Sequence, residues 1–257
     1  MPHLTDLPRP LVMAHRGDAA HAPENSPSAF RLALERGADL LETDLWRTRD
    51  GVLVCHHDRT LDRTTDRTGA IPELDLDQVK QARVTGSYCG RYDEADYPDE
   101  RVLTLDELLA ALPEDRGLAL ELKDPALADP DNARQLVAAI RARIQKQTVM
   151  LLSFDTPLLR AAQRADPEVW IGKIGMFSPL PVFRGNGIGT TWPAMRVNPL
   201  YTWIARLQGL WVCPLDPSPE PRLDWYRKLG VDAVLTDDPA RTCQALGRTV
   251  VRPEDTL

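Results

Sequence analysis

The chain is poor in cysteine, and the few cysteines are not arranged as a framework. Cys55, Cys89, Cys213 and Cys243 are scattered without a Cys-x-x-Cys pair, which disfavours both a zinc cluster and a set of structural disulfides. The first residues also lack a basic segment followed by the apolar core of a secretory signal. We therefore predict reduced thiols and a cytoplasmic location.

The sequence also lacks long apolar runs and an excess of positive charge. No apolar stretch approaches the roughly 18 residues that would suggest a membrane span, so no stable membrane insertion is expected. The net charge is -7 and the pI is about 5.3, which argues against nucleic acid as a partner. A small anionic substrate is compatible with this charge, because arginine, lysine and a metal can make one pocket positive.

A motif for dinucleotide binding is missing as well. No Gly-x-Gly-x-x-Gly follows the first apolar run, which argues against a Rossmann site. The glycine-rich sequence GNGIGT at residues 185–190 lies in a weakly patterned region, and we interpret it as a loop.

What the sequence does contain is an alternation of short apolar runs and helical patterns over 257 residues. This alternation indicates parallel strands joined by helices, and the length is typical of a (β/α)8 TIM barrel at about 250 residues. An open doubly wound α/β sheet is the alternative. We predict one catalytic domain over residues 1–257. The predicted barrel strands are residues 11–14, 40–46, 118–122, 149–152, 169–174, 195–197, 210–213 and 233–235.

The alternation is interrupted after the second predicted strand. Residues 59–101 are polar and contain several glycines and prolines, and they are far longer than an ordinary connection of about 4 to 6 residues. We predict a small insertion here, with one short helix within residues 74–84.

Acidic side chains occur at a spacing that suits a metal ion. Glu42 and Asp44 are two residues apart in a predicted strand, so both point to one face and can hold one cation. Glu121 and Lys123 repeat this spacing later. Because like charges in apolar sequence are costly unless offset, we predict one divalent ion bound by Glu42, Asp44 and Glu121. Oxygen ligands admit Ca2+, Mg2+ or Mn2+, and the sequence does not select among them.

Two histidines and an arginine follow predicted strands. His15 and Arg16 come after the first strand, and His57 comes after a short return strand at residues 52–55. The reactive groups of a (β/α) barrel lie at the C-terminal ends of its strands, so we expect these side chains and the carboxylates to converge on one rim. His56 should face away from His57, and we interpret it as structural.

Together these residues resemble a known family. HRG, PEN, ETD, HHD followed by LDRTT, and ELK occur in an order and at spacings that are similar to those of the glycerophosphodiester phosphodiesterase family. The resemblance extends from residue 11 to the closing GVDAVLTDDP. Five short motifs in order are far more specific than any one of them.

The resemblance implies a phosphoric diester hydrolase of lipid and glycerol metabolism. Its substrates would be glycerophosphodiesters, such as glycerophosphocholine or glycerophosphoethanolamine, and its products glycerol 3-phosphate and an alcohol. The resemblance also implies that His15 and His57 form an acid/base pair, that the three carboxylates hold the metal, and that the insertion overhangs the active site. An insertion without a substrate role is the alternative. Arg16 and Lys123 are expected to neutralise charge on the phosphoryl group.

One stretch departs from the family pattern. Trp211 is expected to form an apolar wall for the glycerol part of the substrate. The family usually continues this tryptophan into a threonine and an asparagine two residues further on, whereas this chain has Val212, Cys213 and Pro214. The preferred alcohol could therefore differ from the familiar small ones.

Other functions compete with this interpretation. A lysophospholipase D acting on single-chain phospholipids would need an apolar groove near the insertion. A metal-assisted lyase or isomerase would use Lys123 as its base, and a non-catalytic protein would only bind phosphate esters. Two histidines beside Arg16 favour phosphate chemistry with turnover, because binding alone does not require proton transfer. The oligomeric state is not predicted.

Overall fold

A ring of parallel strands forms the centre of the molecule. The structure is a computed structural model that describes residues 7–144 and 148–248. Within these ranges, eight parallel strands form a nearly closed barrel in the order β8-β7-β6-β5-β4-β2-β1-β9, and a ninth strand, β3, is antiparallel to β2. The strands are β1 (Leu11–His15), β2 (Leu40–Arg47), β3 (Leu53–Cys55), β4 (Gly117–Leu122), β5 (Thr148–Ser153), β6 (Trp170–Gly175), β7 (Gly187–Thr190), β8 (Trp211–Val212) and β9 (Ala233–Thr236). The predicted (β/α)8 TIM barrel is confirmed.

The barrel is closed between β8 and β9 by one aspartate rather than by a strand pairing. The backbone N–H of Asp232 donates to the carbonyl of Val212 at 2.9 Å. In return, the backbone N–H of Val212 donates to the Asp232 carboxylate at 2.8 Å. β8 and β9 do not pair as strands, and these two hydrogen bonds satisfy backbone N–H groups that would otherwise be left unpaired.

Helices surround the barrel, and several begin at the side chains that the sequence indicates. The helices of the described chain are α1 (Pro27–Glu35), α2 (Leu76–Lys80), α3 (Leu105–Ala111), α4 (Pro130–Arg143), α5 (Thr156–Ala165), α6 (Trp192–Val197), α7 (Tyr201–Leu207), α8 (Leu223–Leu229) and α9 (Pro239–Ala245). Ser26 caps α1 by accepting a hydrogen bond from Ala29 N, and Thr104 with Glu107 forms a capping box on α3. No helix within the described ranges is both long and apolar enough to cross a bilayer.

The sixth barrel strand is not where the sequence pattern predicts it. Residues 195–197, predicted as a strand, lie in α6, and the strand is instead the glycine-rich Gly187–Thr190, which we interpreted as a loop. Glycine is unfavourable in most strands because it has no side chain to pack. Here it is required, because a Cβ on Gly187 would lie 2.7 Å from Cη2 of Trp170 and one on Gly189 would lie 2.8 Å from the carbonyl of Cys213.

The connection from β6 to β7 has no helix. Residues 176–186 run along the outside of the barrel as turns and extended chain. Every other connection between successive parallel strands of the barrel within the described ranges carries at least one helix. The helical layer is therefore incomplete at this position, and the apolar side chains of residues 176–182 are left at the surface.

Three apolar clusters fix these elements. One fills the barrel interior and includes Met13, Leu40 and Met150; a larger one lies between the strands and the surrounding helices. The third joins the insertion to β2 and β3, with Trp46, Ile71 and other buried side chains. The insertion at residues 59–101 is therefore packed structure, and α2 lies within it as predicted.

Candidate active site

The candidate site is a cavity at the C-terminal end of the barrel strands. It has a volume of about 340 Å³, and the side chains that line it include His15, Arg16, Glu42, His57, Glu121, Lys123 and Trp211. Asp44, the remaining predicted site residue, is buried beside Glu42 and Glu121. The structure thus brings all eight predicted residues together.

Three carboxylates form a compact buried cluster. One oxygen each of Glu42, Asp44 and Glu121 lies within 4.8 Å of the others. The arrangement follows from strand geometry: Glu42 and Asp44 share one face of β2, and the parallel register of β2 and β4 pairs Asp44 with Glu121. A donor set of three acidic oxygens fits a hard divalent cation.

The charges of this cluster are only partly compensated by the protein. Burial and the neighbouring carboxylates of Asp44 and Glu121 raise the pKa of Glu42 well above its ordinary value. Burial, together with Asp44, also raises the pKa of Glu121, to about 7. Burial alone would raise the pKa of Asp44, but Lys123 and Arg16 outweigh it and lower that pKa. The cluster therefore favours a cation that would let all three carboxylates ionise.

Lys123 and Arg16 supply the positive charge at the site. Lys123 Nζ lies 2.6 Å from Glu121 Oε1 and 3.3 Å from Asp44 Oδ1. Arg16 Nε lies 3.5 Å from Asp44 Oδ2, and its backbone N–H donates to Glu42 Oε2 at 3.1 Å. Arg16 Nε is buried and donates no hydrogen bond within the described structure. Both cations are thus held against the carboxylates at the floor of the cavity.

A strained turn places Arg16 there. Arg16 has a φ of 57° and is followed by Gly17 at 82°, and a left-handed conformation at a residue other than glycine is costly. A Cβ on Gly17 would lie 2.6 Å from the backbone of Ala29, so the turn is pressed against α1. Such strain at a non-glycine residue is typical of functional positions.

Asn25 has a role other than helix capping. Its φ is also 57°, its side-chain oxygen accepts a hydrogen bond from Thr43 Oγ1 at 2.7 Å, and its Nδ2 lies 3.5 Å from Asp44 Oδ2. It therefore supports the carboxylate cluster from below, while Ser26 caps the helix.

Each of the two predicted catalytic histidines is held by an aspartate. His15 Nδ1 donates to Asp237 Oδ1 at 2.8 Å, and His57 Nδ1 donates to Asp58 Oδ1 at 2.6 Å. Such a bond fixes the tautomer and turns Nε2 toward the cavity, where Nε2 of His57 lies 3.3 Å from Lys123 Nζ. Burial lowers the pKa of His57 below its ordinary value, which favours the neutral ring near pH 7.

His56 has a structural role, as the sequence indicates. Its Nδ1 lies 3.0 Å from the carbonyl of Asp58 and its Nε2 lies 3.2 Å from Thr64 Oγ1, and the ring is buried. Both ring nitrogens are thus used by neighbouring protein groups, away from the cavity.

Sequence reasoning missed Asp237 and Tyr88. The Tyr88 hydroxyl donates to Asp237 Oδ2 and lies 3.2 Å from His15 Nδ1, and the ring lies 5.1 Å from the Arg16 guanidinium. Asp237 directly follows β9, so the rule that selected His15 and His57 could have found it. Tyr88 belongs to the insertion, which has no periodicity to indicate which side chain reaches the cavity.

Glu24 was also missed, although the PEN motif contains it. It is buried, and Oε1 accepts hydrogen bonds from Arg16 Nη1 and Arg63 Nη2, both at 2.8 Å, while Oε2 accepts from the backbone N–H of Tyr88 at 3.0 Å. Burial opposes its ionisation, but Arg63 and Arg16 lower the pKa of Glu24 to about 2. Glu24 therefore joins the insertion to the turn that carries Arg16.

The remaining wall of the cavity is apolar and comes from β5 to β8. Its side chains include Leu152, Phe154, Trp170, Ile174, Met176 and Trp211. Trp170 and Trp211 meet edge to face with their ring centroids 5.7 Å apart. Trp211 lines the cavity, and its Nε1 is buried and finds no hydrogen-bond partner in the described structure.

Comparisons with known proteins found a matching family model, related proteins and similar solved structures. Residues 15–178 match the model of the glycerophosphoryl diester phosphodiesterase family. The chain is 29% identical over 237 residues to a glycerophosphodiester phosphodiesterase of Caldanaerobacter subterraneus, covering 89% of this chain and 94% of the relative. A glycerophosphodiester phosphodiesterase of Agrobacterium tumefaciens has a similar structure, with a TM-score of 0.75, 26% identity, and coverage of 90% of this chain and 97% of that one.

A second solved structure shares the fold. It is an Oleispira antarctica phosphodiesterase in complex with its product sn-glycerol-3-phosphate, with a TM-score of 0.80 and 24% identity, covering 95% of this chain and 99% of that one. The barrel therefore has an architecture that the two proteins share over most of the chain.

Proposed function

The chain belongs to the glycerophosphoryl diester phosphodiesterase family, and on that premise we propose that it hydrolyses glycerophosphodiesters to glycerol 3-phosphate and an alcohol with the help of one divalent metal ion. The observation that carries this proposal is the meeting of two aspartate-held histidines and a buried three-carboxylate cluster in one cavity. We further propose that the whole chain is a single catalytic domain with residues 59–101 as an insertion in it.

Charge stabilisation is divided between the metal site and two side chains. A divalent cation held by Glu42, Asp44 and Glu121 would act as a Lewis acid toward the phosphoryl group. Arg16 and Lys123 bind and neutralise the phosphoryl oxygens, since both guanidinium and ammonium groups form charge-assisted hydrogen bonds with phosphate. Their positions against the carboxylates keep them ordered before the substrate arrives.

His15 and His57 exchange the protons of the reaction. One ring takes the proton of the attacking oxygen and the other gives a proton to the leaving alcohol oxygen. Asp237 and Asp58 hold the Nδ1 atoms, so that each Nε2 is the atom that accepts or donates. Tyr88, bound to Asp237, shields His15 from solvent on the side of the insertion.

A second candidate substrate is a single-chain phospholipid. The sequence pattern does not indicate an apolar groove near the insertion, but the cavity has an apolar wall on β5 to β8, including Leu152, Phe154 and Ile174. In the order of the strands around the barrel, β6 lies opposite β1. The apolar wall therefore faces the side of the cavity that carries His15. It could receive an apolar part of the alcohol, which favours lysophospholipase D as the alternative activity.

The free thiols support the proposed cytoplasmic location. All four cysteines lie within the described residues and are unpaired, and Cys55, Cys213 and Cys243 are buried. Reduced cysteines of this kind are typical of cytosolic proteins.

The deciding experiment measures release of glycerol 3-phosphate from glycerophosphocholine. The purified chain is stripped of metal and then supplied in turn with Ca2+, Mg2+ or Mn2+. We expect release only after metal is restored. Absence of release with every metal would overturn the proposal for this substrate. Cleavage of lysophosphatidylcholine in the same samples would then establish the second candidate, whereas inactivity on both would favour a binding protein.

A further inference from the structure

Exposed apolar side chains are concentrated on one side of the molecule. Among the described residues, ten large apolar side chains are exposed, and eight of them lie between residues 176 and 207. The other two, Tyr88 and Phe154, line the cavity. We call the eight the apolar face. Its members are Met176, Phe177, Leu180, Val182, Val197, Leu200, Trp203 and Leu207, each between 57% and 71% exposed.

These side chains come from two segments that lie next to each other. The segment after β6 is held along α6 and α7 by three hydrogen bonds: Thr191 Oγ1 donates to the carbonyl of Met176 at 2.5 Å, Asn198 Nδ2 to that of Pro179 at 2.9 Å, and Gln208 Nε2 to that of Pro181 at 2.6 Å. The missing helix between β6 and β7 leaves this surface uncovered.

The helix α7 presents its apolar side outward. Leu200, Trp203 and Leu207 recur at the three- and four-residue spacing of one helix face and are exposed. The opposite side is also largely apolar and is buried against the barrel through Tyr201 and Ala205. A helix that is apolar on both sides would be expected to bury the outer side against a partner.

The charge of this region differs from that of the whole chain. Residues 169–215 contain no aspartate or glutamate but include Lys173, Arg184, Arg196 and Arg206, in a protein with a net charge of -7. Arg184, Arg196 and Arg206 are exposed. The side chains of Lys173, Arg184 and Arg196 form no ion pair with any described residue. The apolar face is therefore bordered by positive charge without nearby compensation on its own segment.

We propose that the apolar face is a docking surface for a lipid bilayer with anionic headgroups. Aromatic and aliphatic side chains that enter the headgroup region, combined with arginines that attract anionic lipids, give reversible binding at the membrane surface. The cytoplasmic leaflet is the anionic one, which agrees with the proposed location. This inference goes beyond the proposed function and does not depend on it.

The surface continues into the active site. Met176 belongs to the apolar face and also lines the cavity. Ile174, which lies two residues earlier at the end of β6, lines the same wall. A groove along Ile174, Leu180 and Val182 runs from this wall toward the face. Docking would therefore place the mouth of the cavity at the lipid surface.

A second copy of the chain is the competing occupant, and the charges disfavour it. In a twofold dimer the same patch meets itself. Arg184 and Arg196 of one protomer would then face residues 169–215 of the other, which include arginines and no acidic residue, and like charges at an interface oppose association.

Vesicle sedimentation tests the proposal with the full chain. Vesicles of pure phosphatidylglycerol are compared with vesicles of pure phosphatidylcholine. We expect binding to phosphatidylglycerol that weakens as salt is added, and little binding to phosphatidylcholine. Phe177→Ser with Trp203→Ser, and separately Arg184→Glu with Arg196→Glu, should each reduce the partition coefficient by at least about tenfold. These four residues lie outside the cavity lining.

The matched control is Arg31→Glu with Arg134→Glu. It makes the same change in net charge on α1 and α4, where both arginines form exposed ion pairs, and it should bind vesicles nearly as well as the unchanged chain. The melting temperature of every variant should stay close to that of the unchanged chain, which separates loss of docking from loss of folding whether or not the chain hydrolyses glycerophosphocholine. No binding to phosphatidylglycerol, or binding that the variants do not weaken, would overturn the proposal. So would a dimer in sedimentation velocity that the same variants dissociate.

Discussion

The two sides of the cavity are built on different principles. The side formed by β1, β2, β4 and β9 carries buried charges, and nearly every polar atom there has a partner, as in the bonds of Glu24 and Asp237. The side formed by β5 to β8 carries tryptophans, aliphatic side chains and glycines. Charge stabilisation needs groups that are held in fixed positions, whereas an apolar wall needs only a shape that complements the bound group. Under the proposed function, the first side therefore determines the reaction, and the second can adapt to the alcohol or to a membrane surface.

The family match covers most of the polar side and ends within the apolar side. The matched residues run from 15 to 178 and include all of the predicted metal and proton-transfer residues. Beyond residue 178 lie the glycine-rich β7, the helices of the apolar face, and the Trp211 region that departs from the family pattern. Most of the exposed apolar surface, from Leu180 to Leu207, thus lies beyond the residues that match the family model.

The largest effect is expected from removing one carboxylate on the polar side. Glu42→Gln should lower metal-dependent turnover by more than about a thousandfold, since metal catalysis supplies several kcal/mol. In chelator, its melting temperature should stay close to that of the unchanged chain, because burial and the neighbouring carboxylates raise the pKa of Glu42 and so oppose its ionisation. Turnover is measured as glycerol 3-phosphate release. The exposed Glu73→Gln is the control, and similar turnover in both variants would contradict the assignment.

A somewhat smaller loss is expected for proton transfer. His57→Ala should reduce turnover by about a hundredfold or more, the usual worth of a general acid or base, while metal affinity by calorimetry stays nearly the same. His21→Ala, which removes a histidine that pairs with Asp18 outside the cavity lining, should retain turnover. Unchanged turnover in His57→Ala would remove its assigned role.

The free energy of unfolding should depend on pH through the ion pairs of Glu24. The pKa of Glu24 is lowered from 4.5 to about 2, so its contribution is complete above pH 4.5 and is lost as the pH falls toward 2. Glu24→Gln should therefore lower the free energy of unfolding by about 2 to 3 kcal/mol at pH 7, and the difference from the unchanged chain should shrink near pH 2. Urea titrations measure it. Glu35→Gln, at an exposed ion pair, should lower the free energy of unfolding by less than about 0.5 kcal/mol. An equal loss in the two variants would contradict the larger contribution assigned to the buried ion pairs of Glu24.

The smallest effect should come from the apolar side. Trp211→Leu is expected to raise KM for glycerophosphocholine by about tenfold and to change kcat by less than about twofold, because an apolar wall binds substrate and transition state alike. Trp225→Leu, on α8 and outside the cavity lining, is the matched control. A fall in kcat with unchanged KM in the Trp211 variant would place this wall in the chemistry and remove the distinction between the two sides.

Much of the polar side could be predicted from local rules. Glu42 and Asp44 share a face because strand side chains alternate, and His15 and Glu121 lie at strand ends, where a barrel gathers its reactive groups. The prediction failed at β7, where packing against Trp170 requires glycine and so removes the apolar pattern by which a strand is identified. It also passed over Tyr88, since nothing in an irregular insertion indicates which side chain turns inward.

By itself, the sequence determined the barrel, the eight candidate site residues and the family resemblance, because each depends on spacing within one strand or on the order of strands along the chain. Only the tertiary structure decided which aspartate holds His15, 222 residues away in sequence, how Glu24 joins the insertion to Arg16, and which apolar side chains remain at the surface. Those features depend on contacts between distant segments, and a periodic pattern shows that a side chain is apolar without showing whether anything covers it.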